Sequence, residues 1–325
     1  MCCTPRSLAV IASVVALVAP GTAAAQCANP HAMGVSRVIA VDPRAMPLIG
    51  SHDYGHTLPL APGEVVLTFD DGPVSPYTEH VLSALAAECA RATFFMVGRQ
   101  ARANPRLAWQ VRAAGHTVGT HTQNHVLHRM SADLAAYEID TGIVSVGAAL
   151  GSQRMLAPFF RFPGLFRTHE GEHHLRMRGL MAWSVDTDSY DWKKIGSGQM
   201  LAHTLSDLEK RRGGILLMHD VQPKTAMMLP TLLSELKARG YRIVHVVPKG
   251  GDPELVAGGV PQHPPMESPA RPHLAAEPRE PFVRQRFPVT AMPPTPPPEP
   301  PRPSPGGNGL FEAIFTASGA QRWGR

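Results

Sequence analysis

The chain has no run of about 20 consecutive apolar residues, the length a helix needs to cross a bilayer. Its apolar stretch near the start, Leu8 to Ala19, is well short of that. Cysteine is scarce too, with four in 325 residues, and Cys2 and Cys3 fall within the opening segment. That leaves Cys27 and Cys89, which can pair in an oxidising compartment or stay apart as a thiol near a chain end and a buried thiol on an apolar helix. No long basic run occurs either. The 31 Lys and Arg are scattered among 26 Asp and Glu, for a formal net charge of +5. This excludes the concentrated positive stripe of a nucleic-acid-binding domain, while an anionic polymer stays compatible with the mild positive balance.

The opening 25 residues place Arg6 before the apolar run, then Pro20-Gly21 and the small residues Ala23-Ala24-Ala25. That order predicts a secretory signal peptide cut after Ala25, leaving no membrane span in an exported chain, periplasmic or secreted. At the other end, from Gly251 to about Pro305, more than half of the 33 prolines are concentrated and apolar periodicity stops. Such a segment cannot bury enough surface to offset its chain entropy, which predicts a disordered or polyproline-type tail over 251–325. Between these lie an N-terminal extension, 26–59, and one domain, 60–250.

Within that domain short apolar or β-branched runs recur: EVVLTF, ATFFMV, HTVG, PFFRF, LMAWSV, GILLMH and YRIVHVV. Stretches of helical length lie between most of them. In YTEHVLSALAA the residues Val81, Leu82, Leu85 and Ala86 recur at three and four and predict one buried stripe. Gly115, Gly151 and Gly240 stand where helix C-caps belong. Strands that read apolar throughout and alternate with helices predict a parallel sheet covered on both faces. The fold class is α/β, and about seven such units predict a distorted (β/α) barrel.

The polar residues hardest to explain as packing share one place. Asp70 and Asp71 follow EVVLTF, His121 follows HTVGT, and Arg161 follows PFF. Asp188 and Asp191 follow LMAWSV, and His219 and Asp220 follow ILLM. All fall at the C-terminal ends of predicted strands, where α/β barrels assemble their active sites. His121 and His125, four apart, lie on one face of a predicted helical turn and can converge on an ion with a carboxylate from another strand. The adjacent carboxylates then make sense: one binds the cation, whose charge offsets their repulsion, and the other accepts a proton from water. Asp220 reads as a supporting residue, and Trp183 and Met218 as core.

In this order and spacing TFDDGP, HTQNH, RFPG, DSYDW and LLMHD resemble the five motifs of the polysaccharide deacetylases, the NodB-homology domain of carbohydrate esterase family 4. The resemblance spans about residues 60 to 247. It implies a distorted (β/α) barrel and metal-dependent removal of acetyl groups from an acetylated glycan, usually at N-acetylglucosamine units. Position by position it implies Asp70 as general base paired with Arg161, and Asp71, His121 and His125 as metal ligands. It further implies His219 as general acid, supported by Asp191, and Trp192 and Leu217 as apolar walls around the acetyl methyl. Zinc suits two His and one Asp best, with cobalt or manganese as alternatives.

The third motif departs from the family pattern, because Pro163 is followed directly by Gly164 where an aromatic residue is usual. Gly164 still supplies an N–H for the oxyanion, and Phe162, Leu165 and Phe166 are candidates for the missing wall. Three rival readings share parts of this pattern. An O-acetyl xylan esterase or a small-molecule C–N hydrolase would use the same metal chemistry. A non-catalytic glycan-binding protein would use the fold without the acid or the base, both of which are present. A non-haem iron oxygenase would share the two-His, one-carboxylate set but expects an all-β scaffold.

Overall fold

The computed structural model of the chain describes Cys27 and residues 29–251. The predicted signal peptide, and the proline-rich tail beyond Gly251, lie outside the described residues. The strands are β1 (Arg37–Val41), β2 (Leu48–Ile49), β3 (Glu64–Asp70), β4 (Thr93–Met96), β5 (Thr117–Thr120), β6 (Phe159–Phe160), β7 (Met181–Trp183), β8 (Thr187–Asp188), β9 (Gly213–His219) and β10 (Arg242–Pro248). The helices are α1 (Ser51–Tyr54), α2 (Tyr77–Ala87), α3 (Gly98–Ala103), α4 (Pro105–Ala113), α5 (Ala132–Ala149), α6 (His169–Met177), α7 (Ser197–Arg211) and α8 (Pro223–Ala238). None among the described residues is long and apolar enough to cross a membrane.

Every strand pairing is parallel. A run β9-β3-β4-β5-β6-β7 carries the barrel wall, and β8 adds to the far side of β9. The ring is interrupted between β7 and β8, because β7 pairs with β2. This is the distortion of an otherwise regular α/β barrel. The segment 26–59 is woven into the same sheet, with β1 on β10 and β2 on β7.

Strand alternation explains both the core and the position of the site. Along β3, Val65, Leu67 and Phe69 point outward and pack with Val81 and Leu85 of α2 and Leu229 and Leu232 of α8. Val66 points inward with Ile215, Phe95 and Trp183. Continuing the inward series by twos gives Val66, Thr68, Asp70 on β3 and Ile215, Leu217, His219 on β9. Each line is apolar at the barrel floor and polar at its rim, and Asp70 and His219 are direct register partners. On α2 the buried residues are Thr78, Val81, Ala84 and Leu85, so the stripe is rotated from the predicted one and leaves Ala86 exposed. The reason is that α2 packs against α8 as well as against the sheet.

Cys27 and Cys89 form a disulfide across 62 residues, their Cα atoms 5.8 Å apart. Closing a loop of that size removes about 4 kcal/mol of freedom from the unfolded chain in the chain-entropy account.

Two histidines are enclosed below the site. His116 packs on Phe94, centroids 5.1 Å apart, and its Nδ1 accepts the Ala92 N–H at 3.2 Å. His245 Nε2 lies 2.9 Å from Thr117 Oγ1. Burial, reinforced by the charges of Arg91 and Arg112, pushes His245 down to about 3, and burial with Arg91 pushes His116 well below its ordinary 6.5. Unfolded imidazoles take up protons as pH falls through about 6.5 while the folded ones resist. Stability present above pH 6.5 is therefore lost as pH falls towards 3. We expect His245→Gln to flatten that loss, so that the denaturation midpoint drops less between pH 7 and 4.5 than in the wild type, by about 2 kcal/mol of unfolding free energy. An equally steep acid loss in the variant would clear His245 of the effect.

Candidate active site

Arg161, immediately after β6, is fully buried. Its Nη1 donates to Asp70 Oδ1 and to Thr68 Oγ1, each at 2.8 Å, and Nη2 donates to the Ser184 carbonyl at 3.2 Å. The guanidinium also lies over the Phe95 ring, 4.3 Å from its centroid. Burial lowers the Arg161 pKa from its ordinary value against the opposing pull of Asp70. Asp70, itself 2% exposed, thus has a cation fixed on one oxygen, and its Oδ2 lies 3.8 Å from His121 Nε2.

Asp71 turns away from the strand. Its φ of 79° is left-handed, and its Oδ1 lies 2.9 Å from His125 Nε2 and 3.4 Å from His121 Nε2. The left-handed turn, more than strand alternation, separates the duties of the two adjacent carboxylates. Gly72 follows, and a Cβ there would strike the Asp220 carboxylate. Asp220 accepts the Gly72 N–H at 3.0 Å and the Thr78 hydroxyl at 2.6 Å, the supporting position read from sequence. Burial, with the nearby Asp71 charge, pushes Asp220 up to about 7.

His121 and His125 converge as predicted, but no helical turn carries them. Residues 121–125 form a loop in which Thr122 (φ 63°) and His125 (φ 60°) are left-handed. Glu138 of α5, which sequence reasoning missed, holds this loop from beneath. Its Oε2 accepts the N–H of Gln123 at 3.0 Å and of Asn124 at 2.8 Å, and its Oε1 accepts Asn124 Nδ2 at 2.8 Å. A signal was present: Glu138 is a carboxylate on the same helical stripe as the buried Ala135, Ile139 and Gly142.

Whether these residues suit a cation is decided by protons. His121 Nδ1 is 2.8 Å from the Arg161 carbonyl, which can only accept, so Nδ1 carries the hydrogen and Nε2 presents a lone pair. That lone pair faces Asp71 Oδ1, a buried oxygen with no hydrogen-bond partner among the described residues. Two acceptors facing one another need a positive centre between them. The three donor atoms lie within 4.8 Å of one another, so the set fits a divalent ion. Burial alone would raise the Asp71 carboxyl, but where a proton on each imidazole takes the place of the cation the two rings reverse this and hold it well below the usual carboxylate range.

On the opposite side His219 closes β9. Its Nδ1 is 2.6 Å from Asp191 Oδ1, and its backbone N–H donates to Asp191 Oδ2 at 2.7 Å. Thr225 Oγ1 donates to the same Oδ2 at 2.6 Å, so the buried Asp191 is fully engaged. Burial opposes a charge on His219, but the Asp191 carboxylate outweighs it and the imidazole is pushed up to about 10.

The remaining predicted residues lie on the same rim. Leu217 is buried one step below His219 on the inward line, and Trp192 is exposed, its Nε1 donating to Asp188 Oδ2 at 3.1 Å. Gly164 sits in a short 3₁₀ turn over Pro163–Leu165 with φ 57°, where early N–H groups have no partner within the turn. Phe162 is corrected as a groove wall. It is buried edge-on against Phe160, 4.9 Å between centroids, because it belongs to the core under α6.

A parallel α/β barrel with an Asp-His-His set, a buried Arg-Asp pair and a His-Asp pair on its C-terminal rim defines a hydrolytic barrel enzyme. The family profile described as "Polysaccharide deacetylase" matches residues 58–180. A peptidoglycan-N-acetylglucosamine deacetylase of Bacillus cereus is 34% identical over 188 residues, 56% of this chain and 85% of that protein. A peptidoglycan-N-acetylglucosamine deacetylase of Listeria monocytogenes, PgdA, is 33% identical over 183 residues, 56% of this chain but 38% of that protein. Among solved structures, a peptidoglycan deacetylase of Bdellovibrio bacteriovorus superposes with a TM-score of 0.59 at 32% identity, over 67% of this chain and 60% of that one. The chain belongs to the polysaccharide deacetylase family, as its motifs had suggested.

Two outcomes follow from this geometry. Replacing Glu138 with Ala frees the loop, and zinc affinity measured by chelator competition should fall roughly 10–100-fold, the range for losing a group that orients metal ligands; unchanged affinity would deny Glu138 that part. In metal-free protein followed by NMR of labelled histidine, His219 should stay protonated well above neutrality. Asp191→Asn should release that proton at least two pH units lower, since the raising partner is gone while burial remains, and an unmoved titration would refute the pairing.

Proposed function

We propose that the chain is a divalent-cation-dependent deacetylase that acts outside the cytoplasm and removes the N-acetyl group from N-acetylglucosamine units of peptidoglycan. The observation that carries this reading is the opposed pair of proton-handling groups on one rim. A carboxylate fixed beside a cation, Asp70 on Arg161, faces across the register from a cation fixed beside a carboxylate, His219 on Asp191. Amide hydrolysis needs one group to take a proton and another to give one. The peptidoglycan activity for which the three relatives are named favours that polymer over chitin-type oligomers.

In this mechanism Asp71, His121 and His125 hold the ion, for which zinc is the best match. When bound, such an ion polarises the acetyl carbonyl and acidifies water. Asp70, held in place by Arg161, accepts a proton from the attacking water. The Gly164 N–H donates to the oxygen that becomes negative as the carbon turns tetrahedral. His219, held protonated by Asp191, gives its proton to the departing nitrogen, so that acetate and a free amine leave. Leu217 and Trp192 flank the acetyl methyl, and the exposed Trp192 is held in orientation by Asp188.

The test is acetate release from peptidoglycan and from N-acetylglucosamine oligomers, with and without a chelator and with zinc restored. We expect chelator-sensitive release that zinc recovers. Asp70→Asn should keep the ion yet lose activity by roughly 10²–10⁴-fold, the usual contribution of a general base. Release unaffected by that substitution would remove Asp70 as the base, and no release from any glycan would overturn the reading.

A further inference from the structure

Between the last residue of β7 and the first of β8 the chain crosses the interruption in the barrel wall with three residues, Ser184, Val185 and Asp186. The Ser184 N–H donates to the Ile49 carbonyl of β2 at 2.7 Å, whereas the Asp186 N–H already donates to the Ile215 carbonyl of β9 at 2.9 Å. The Ser184 carbonyl makes no ladder bond among the described residues. It accepts Nη2 of the buried Arg161, whose Nη1 holds Asp70.

One stretch of the N-terminal extension grips all three crossing residues. Asp53 Oδ2 accepts the Ser184 hydroxyl at 2.5 Å, and the Val185 carbonyl accepts the His52 N–H at 2.9 Å. The Asp186 carboxylate accepts the Ser51 N–H at 2.8 Å, the Ser51 hydroxyl at 2.6 Å and the Thr57 hydroxyl at 2.7 Å, together with the Ile215 N–H at 2.8 Å. Gly50, with φ 106°, lies against the very peptide whose oxygen Arg161 uses. A Cβ there would come within 2.4 Å of the Ser184 carbonyl carbon and 2.5 Å of the Val185 nitrogen. Ser184 is 1% exposed, so its hydroxyl has little water to turn to when Asp53 is lost. The polysaccharide deacetylase profile begins at residue 58, so this stretch lies outside it.

We infer that Asp53 is a positioning residue of the active site: through Ser184 it fixes the peptide that orients the Arg161 guanidinium, and so fixes Asp70. Residues 49–57 then belong to the foundation of the catalytic rim, although they enter it from the segment before the domain. Asp53 bonds to Ser184, His52 and Arg167, and its effect on Asp70 is relayed. A base held out of line loses rate while substrate still binds. The kinetic part of this inference rests on the reaction proposed above.

Acetate-release kinetics test it, together with a readout that needs no turnover, proton exchange at the Arg161 guanidinium followed by NMR of protein carrying labelled arginine. Asp53→Ala should lower kcat about tenfold with KM within about twofold, and should speed exchange of the Arg161 Nη protons about fivefold or more. Asp53→Asn keeps an acceptor for the Ser184 hydroxyl and should stay within about threefold of wild type in both. Ser184→Ala removes the same bond from its other end and should reproduce both changes. In the double variant Asp53→Ala should then add nothing further. Ser184→Ala also carries the test if Asp53→Ala does not fold. The control Asp42→Ala, in the same extension but bonded to the Arg44 N–H, should match wild type. Unchanged exchange in Asp53→Ala, a rise in KM alone, a loss as large in Asp53→Asn, or additive losses in the double variant overturns the inference. Faster exchange in Asp53→Ala, with no acetate released from any glycan by the wild type, keeps the positioning role and discards the reaction. Acetate release by the wild type that Asp53→Ala leaves intact keeps the reaction and discards the positioning role.

Discussion

A guanidinium with no solvent exposure is the constraint on which the rest of the site depends. Taking the Arg161 charge out of water costs several kcal/mol, and Asp70 offsets that cost only while both ends of the pair stay in place. Removing one partner from such a pair typically costs about 3–5 kcal/mol, because the other is left buried and unpaired. The same residue reaches in two directions. Its side chain fixes Asp70 at the end of β3, and its carbonyl fixes the tautomer of His121 after β5. Three strands are thereby tied at one point, and neither the carboxylate nor the imidazole can reorient without disturbing β6.

The His219–Asp191 pair inverts this arrangement. There the carboxylate is buried and saturated by three donors, while the imidazole is the member facing the rim. Charge is therefore stored with opposite sign on adjacent, register-paired strands. The inward lines Val66, Thr68, Asp70 and Ile215, Leu217, His219 bring the two pairs to one rim, since a period of two carries each strand from apolar floor to polar rim. Thr68 adds a further tie: it accepts from Arg161 and donates to the Leu216 carbonyl, linking the ion pair to the β3–β9 ladder.

Much of this was legible in the sequence where local pattern and location agree. The strand cores, most long helices and the clustering of Asp70, His121, Arg161, Asp191 and His219 at strand ends follow from periodicity and from the rule that barrels work at that face. What was not legible depends on backbone torsion and on partners distant in the chain. HTQNH reads as a helical turn by spacing, yet its imidazoles meet in a loop where Thr122 and His125 are left-handed and Glu138 pins Gln123 and Asn124 between them. FPGLF offers two aromatic rings to one groove, and only tertiary packing decides that Phe162 goes into the core while Phe166 stays on the rim. Short strands such as β2 and β8, two residues each, carry no periodic signal and exist because a neighbouring strand presents a free edge. Membership of segment 26–59 in the sheet was equally invisible, since parallel pairing places no demand on sequence proximity.

The distribution of unfavourable backbone torsion shows where folding energy is spent. Seven non-glycine residues have positive φ among the described residues, and five of them, Asp71, Thr122, His125, Leu165 and Tyr190, lie in the loops of the catalytic rim. Each such residue costs roughly 1–3 kcal/mol where its neighbours force the conformation, less for Asp, which tolerates it. A rim of relaxed loops would be more stable but would aim its side chains elsewhere. At Asp71 the left-handed turn brings a carboxylate onto two imidazoles, and at His125 it swings the second imidazole back towards the first. The offset comes from below, where the outer helix–strand core and the inner barrel core bury nearly every strand residue. Strain and burial are thus separated along the barrel axis: the floor holds the fold together, and the rim uses part of that stability to keep four loops in conformations they would not adopt alone.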